Sequence, residues 1–320
     1  MKDGQPEGGA WNFDQENRQT FSNWFKDNSP PQLNSAKTVS DDITRTVATL
    51  VEKEFSDHPG STDNFWLPVN RAESIRWLKA FIRDRLPSFG AYQDLMVSGE
   101  SMLNHSVLSP LLNLGLLTPQ ECVEAALKSY ESKASPLNSV EGFVRQIIGW
   151  REFINGVYWL RMPEYKNVNY LQANRSLPVW FCTAETEMNC LHQVLRQVID
   201  LGYNHHIQRL MVLGNFLLLT GIHPREVDRW YLEMYVDAFD WVMAANVYGM
   251  ILFADGGFMS TKPHAASGAY INKMSDYCLG CRFKPSMKTG PQACPFNYLY
   301  WNFFDQHGEK LKPILASKQF

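Results

Sequence analysis

Residues 143–158, FVRQIIGWREFINGVY, decide the fold. Apolar side chains recur at Phe143, Ile147, Ile148, Phe153, Ile154 and Val157, a spacing that puts them on one face of an α-helix, and the pattern stops before Pro163. Upstream, Thr118-Pro119-Gln120-Glu121 forms a capping box with proline at the first helical position, which predicts a helix to about Glu131. Downstream, a helix is expected from Thr183 through Met188, Leu191, Leu195 and Val198 to Gly202, and a second over roughly 204–220. A third starts at Pro224 and carries Trp230, Met234 and Trp241. Strand alternation and hairpin dipeptides are nearly absent, so the expected class is all-α.

Composition bounds the function. The chain has 320 residues, 45% apolar and 20% charged, which suffices for a substantial core in one large domain or two ordinary ones. Aromatics reach 13%, with ten Trp, which suits stacked ligands or electron-transfer paths as well as core packing. A net charge of −3 gives no bulk attraction to nucleic acid, although Lys273, Arg282, Lys284 and Lys288 face only Asp276 across 273–288. Between Arg209 and Arg225 runs an uncharged stretch of 15 residues that includes Asn215, too short for a membrane span. The N-terminus lacks the basic-then-apolar order of a secretory signal, so a cytoplasmic protein is expected and its six cysteines read as thiols or metal ligands. Residues 1–45, punctuated by Gly4, Pro6, Gly8, Gly9, Pro30 and Pro31, read as an extended linker, and residues 46–320 as one helical domain. Residues 309–320 carry no strong helical pattern.

Chemistry concentrates in four cysteines. Cys278, Cys281 and Cys294 read C-x2-C-x12-C, and Cys190 lies far upstream as a fourth partner. Such a thiolate cage suits tetrahedral zinc or an iron–sulfur cluster, and spacing does not distinguish them. Cys122 reads as a small core residue, and Cys182 also lies outside the pattern. Ser106 and Ser109 precede an apolar helical stretch, where hydroxyls and backbone N–H groups serve either as simple caps or as a pyrophosphate cradle. His205-His206, followed by Arg209, opens a helix; the pair suits general acid chemistry near neutral pH, and packing accounts for it equally simply.

These segments together resemble the iron–sulfur bacterial cryptochromes and photolyases, the prokaryotic (6-4) photolyase group. The resemblance is carried by AYQDLMVSGESMLNHSVLSPLLNLG (91–115), FVRQIIGWREFINGVY (143–158), YNHHIQRLM (203–211) and, within 230–277, WYLEMYVDAFDWV, NVYGM, FADGG, STKP and YINKMSDY leading into the cysteines. It implies a C-terminal helical FAD-binding domain in which Gln93, Ser106, Leu108 and Ser109 cradle the FAD phosphates. By the same likeness Gln146 and Arg151 line the cavity, Trp150 faces the lesion, and Arg209 and Asn246 flank the isoalloxazine with Asp255 and Asn272 nearby. His206, with His205 beside it, matches the histidine of proton transfer, while Trp230, Tyr231 and Tyr270 match electron-transfer aromatics. Cys190, Cys278, Cys281 and Cys294 match the ligands of a [4Fe–4S] cluster, here structural.

The implied activity is that of a deoxyribodipyrimidine (6-4) photolyase-type lyase acting on UV-damaged DNA. Reduced, photoexcited FAD would give an electron to a flipped-out pyrimidine dimer while a protonated His assists rearrangement. The resemblance begins where the family's antenna domain ends, so no lumazine chromophore is expected. Three positions depart from the family: Cys182 stands where a distal Trp is expected, Met243 where a carboxylate near flavin N5 is common, and His264 where a Tyr is usual. These departures leave one alternative beside repair, a cryptochrome-like blue-light photoreceptor without repair activity, and the expected lack of the antenna domain leaves another, an inactive truncated remnant.

Overall fold

The computed structural model describes residues 4–27, 40–63 and 65–316. Thr118 caps its helix as its sequence predicts. Its hydroxyl accepts from Glu121 N at 3.3 Å, and the Glu121 carboxylate accepts from Thr118 N at 2.9 Å, so two otherwise orphaned donors are satisfied reciprocally. In chain order the α-helices are α1 (Phe21–Asp27), α2 (Asp42–Glu54), α3 (Arg71–Asp84), α4 (Leu86–Tyr92), α5 (Ser109–Asn113), α6 (Pro119–Glu131) and α7 (Leu137–Arg145). They continue as α8 (Glu152–Arg161), α9 (Asn189–Leu201), α10 (Asn215–Thr220), α11 (Pro224–Met234), α12 (Asp240–Ala244), α13 (Gly268–Met274) and α14 (Pro295–Ala316). Wider π-helical turns lie at Gln146–Arg151, Gln208–Gly214 and Ala245–Ile251. Among the described residues only isolated β-bridges occur, and the fold is all-α.

The chain divides into two compact units, Met1–Leu95 with Met102–Glu152, and Met96–Ser101 with Phe153–Phe320. In the first, Phe81, Phe89 and Phe143 form an aromatic core, with the Phe81 and Phe143 ring centroids 4.9 Å apart. Helices α4 and α7 meet through Gly90, where a Cβ would lie 2.8 Å from the Ser139 backbone; Gly90 N donates instead to Ser139 Oγ at 2.9 Å. In the second, α9, α10 and the π-helical turns Gln208–Gly214 and Ala245–Ile251 bury Leu191, Val194, Leu213, Leu217 and Val247 in one apolar cluster. Burial of such aliphatic side chains contributes roughly 1.5–3 kcal/mol each.

Within the expected linker lie α1 and the start of α2, and its residues 1–3 and 28–39 fall outside the described residues. Three expectations change. The helix expected from Thr183 begins at Asn189: Ala184 takes φ 61°, and the Thr183 and Thr186 hydroxyls accept from Glu185 N and Met188 N, which offers this backbone partners outside a helix. The helix expected to hold both Trp230 and Trp241 breaks after Met234, because Val236 N donates to Gly202 O at 3.0 Å instead of to its own helix. Finally, α14 runs to Ala316, anchored by buried Phe296, Phe303 and Leu311.

Candidate functional site

Arg209 is the most constrained of the expected site residues. It opens the π-helical turn Gln208–Gly214, where a Cβ on Gly214 would meet Arg209 O at 2.8 Å, so glycine permits the close turn. Its guanidinium donates to both oxygens of Asp237, at 2.9 and 3.1 Å, and through Nε to Asn204 O at 2.8 Å. The plane sits 4.0 Å from the Tyr235 ring centroid, and Tyr231 Oη donates to Arg209 O at 2.8 Å. Both charged side chains are about nine-tenths buried, at 12% and 8% exposure, so the pair stands in a low-dielectric setting. Although burial works against the cation, Asp237 outweighs it and raises the Arg209 pKa.

The two histidines differ. His205 is buried, whereas His206 keeps an exposed face among crowding protein atoms. That crowding, with the charges of Arg209 and His264, lowers the His206 pKa to about 4. Because the ring retains solvent contact, the direction is what matters: His206 is neutral at pH 7 in the ligand-free protein, and the protonated form expected of a proton donor needs an added anion. His264 lies in this group, with Nδ1 3.1 Å from Met250 O and a pKa lowered by burial.

Other expected residues in this unit fall into place unevenly. Trp230 and Tyr231 are buried on α11 with ring centroids 5.3 Å apart. Tyr270 is half-buried and Asn272 exposed on α13. Asn246 donates to Val242 O at 2.7 Å within its own helical run. Asp255 serves its loop: it accepts from Tyr165 Oη at 2.6 Å and from Gly257 N and Met259 N at 3.0 Å. Met243 is buried in the core.

In the first unit, Gln93 and Gln146 converge on Gly142. Gln146 donates to Gly142 O at 3.3 Å, and a Cβ on Gly142 would lie 3.9 Å from Gln93 Oε1. Arg151 reaches Asn113 at the end of α5, at 3.5 Å, which joins the Gln146–Arg151 turn to the helix that Ser109 opens. Leu108 is buried, Ser106 O accepts from Trp77 Nε1 at 3.1 Å, and Trp150 is 37% exposed. The intervening loop is strained: Leu103 and the β-branched Val107 hold φ of 44° and 54°. Such outliers cost on the order of 1–3 kcal/mol each and cluster at ligand sites.

All four expected cysteines line one pocket, together with Met188, Tyr277 and Phe296 among others. Three elements bring them there. Cys190 sits in the first turn of α9, whose Asn189 donates to Tyr277 O at 2.8 Å; Cys278 and Cys281 share a tight turn; Cys294 immediately precedes α14. A Cβ on Gly268 would lie 2.7 Å from Cys294 Sγ, so glycine clears the space the sulfur occupies. Burial and the neighbouring thiols push Cys190 well up, and burial followed by Cys294 and Cys281 takes Cys278 to about 12. Four mutually repelling thiolates need a cation to become stable, and a coordinated cation supplies it. Among the described residues no group of three or more His, Cys, Asp or Glu is set to hold a metal ion.

Known proteins place this arrangement. The chain is 50% identical over 314 residues to a "(6-4) photolyase" of Agrobacterium fabrum (strain C58), covering 98% of this chain and 61% of that protein. The chain belongs to the photolyase-related family. The family described as "Deoxyribodipyrimidine photo-lyase-related protein" matches residues 1–67. An "Uncharacterized protein R855" of Acanthamoeba polyphaga mimivirus is 38% identical over 102 residues, 32% of this chain and 76% of that protein. The crystal structure of a bacterial class III photolyase from Agrobacterium tumefaciens superimposes with a TM-score of 0.53 at 19% identity, over 81% of this chain and 58% of that one, a likeness of fold. The chain therefore spans about three fifths of the length of its curated photolyase relative.

Within that family setting, the residues that sequence reasoning missed are the partners of the expected ones. Asp237, Tyr235 and Asn204 fix Arg209, and Gly268 shapes the cysteine cavity. Asp237 left one signal, a carboxylate inside the apolar run MYVDAFDWV that must find a partner if buried. Among the described residues no helix is long and apolar enough to cross a membrane.

Proposed function

We propose that this chain binds FAD and a [4Fe–4S] cluster and acts in light-dependent repair of UV-damaged DNA of the (6-4) photolyase type. The 50% identity across 98% of the chain carries the reading. Bound and reduced, light-excited FAD supplies the electron that breaks the lesion's cross-link. Arg209, held by Asp237, presents a fixed positive charge on the flavin side, and Gln93, Ser106, Leu108, Ser109, Gln146 and Arg151 hold the remainder of the cofactor. Asn246 and Asn272 are its further neighbours, while the carboxylate of Asp255 is already taken by its own loop. Trp150, exposed on its helical turn, stacks on the extruded base. His206, neutral at rest, gains its proton when lesion phosphate or flavin charge offsets Arg209 and His264, and then donates it; His205 orients the turn beneath it.

Cys190, Cys278, Cys281 and Cys294 hold the cluster. Zinc draws four ligands to about 2.3 Å from one point, whereas a cluster spreads its thiolates over four irons. Four cysteines lining one pocket support a thiolate-held group, and the likeness to the iron–sulfur photolyases favours the cluster over zinc. Lys273 and Lys288, both exposed beside that loop, contribute to DNA backbone binding. The test exposes UV-irradiated DNA to the anaerobically purified, flavin-reduced protein under blue light. Loss of (6-4) photoproducts is expected, and photoproduct levels matching the dark control overturn the repair reading.

A further inference from the structure

We infer that Trp180 is the surface outlet through which electrons enter this chain during light-driven flavin reduction, reached from buried Trp230 across Phe181; the inference rests on the FAD reading above. The rings form an unbroken line inside one unit. Trp230 meets Phe181 edge-on with centroids 5.3 Å apart, and Phe181 meets Trp180 at 4.8 Å, so the two indoles lie no further apart than those two steps together. Phe216 packs on both Trp180 and Phe181, at 5.3 and 6.0 Å, and fixes the geometry. Trp230 and Phe181 are buried, and Trp180 is partly exposed.

Proton chemistry gives the line its direction. The Trp230 indole N–H is buried without a hydrogen-bond partner, so an oxidised Trp230 has no base to take its proton and stays a strong oxidant. Tyr231 and Tyr235 adjoin Trp230, but their hydroxyls donate only to the neutral oxygens Arg209 O and Asn204 Oδ1, and burial raises both phenol pKa values. Neither phenol can shed a proton easily, so neither traps the charge. Trp180 reaches solvent. The exposed Cys182, two residues on, has no aromatic ring to serve instead.

The balance is as follows. Trp230 gives one electron to light-excited FAD, and Trp180 gives one electron to the Trp230 cation, restoring it. The Trp180 N–H proton leaves to water, and a soluble thiol then returns an electron and a proton to Trp180; the resulting thiyl radicals couple to a disulfide.

The experiment follows the tryptophan radical by transient absorption after a blue flash on the flavin-loaded protein, in the wild type, W180F and W230F, without and with dithiothreitol. Mass spectrometry of light-dependent oxygen adducts on the peptide containing Trp180 gives a second readout. Expected are a long-lived radical in the wild type, quenched by thiol, a lifetime at least tenfold shorter in W180F, and no radical in W230F. Adducts should disappear in both variants. An unchanged lifetime in flavin-loaded W180F overturns the outlet and leaves the repair reading standing. A wild-type protein without flavin bands overturns both. Should W180F not fold, W180Y keeps a ring there: a tyrosyl radical in place of the tryptophanyl one is expected, and a persistent tryptophan radical overturns the outlet.

Discussion

The cysteine cavity and the Arg209 pair occupy the same unit yet are specified in opposite ways. Three of the pocket's four cysteines are visible as a spacing pattern, and what the fold adds is convergence with Cys190: the first turn of α9, a tight turn and the start of α14 meet around one space. The arginine is likewise visible, but its partner Asp237 comes from the break between α11 and α12, which periodicity reads as continuous helix. A hydrogen-bond relay links the two regions. Gln208, beside Arg209, donates to Gln197 at 2.8 Å and to Tyr277 Oη at 3.0 Å, and Tyr277 lines the cavity. Soft-ligand sites therefore announce themselves by residue type, whereas a buried charge pair is defined only when its surroundings are folded.

The comparison breaks most sharply at Cys190. Cys190→Ala, or stripping of iron by a chelator, should abolish the brown absorbance and the cooperative melt together, since structural metal sites contribute on the order of 10 kcal/mol to folding. A brown, cooperatively melting variant would show that Cys190 is no ligand. Next in size, Asp237→Asn leaves a buried guanidinium half-paired, and urea unfolding should report a loss of about 3–5 kcal/mol with the brown absorbance retained at low urea. A change under 1 kcal/mol would mean the pair is worth no more than a surface bridge.

Gly268→Ala is smaller. Its Cβ presses on Cys294 Sγ, and a cost of about 1–3 kcal/mol with faster cluster bleaching is expected, whereas wild-type bleaching kinetics would separate Gly268 from the cluster. The least is the pH effect of His206. Its folded pKa is depressed from 6.5 to about 4, so the unfolded chain binds more protons between those values. Its contribution to stability is therefore complete above 6.5 and lost as pH falls toward 4. Replacement by Gln should flatten the stability curve there, and an NMR titration of the His206 ring above pH 6 would contradict the depression.

The capping box at Thr118 and the periodic runs were legible because each depends on neighbours along the chain. The missed breaks at Thr183 and Met234 were not, because their backbone groups are satisfied by side chains or by Gly202 in ways that periodicity does not encode. For the candidate site, residue identities came from motif likeness, and Asp255 shows the limit: its carboxylate is engaged by Tyr165 and its own loop, a fact set by three-dimensional neighbours.

By itself the sequence determined an all-α chain and singled out four cysteines, because helical periodicity and thiolate chemistry are properties of residue type and spacing. Only the tertiary structure decided that Asp237 holds Arg209, that His206 rests neutral, and that Gly268 leaves room for Cys294. Those outcomes depend on which groups share a dry space, and burial is a property of the folded whole.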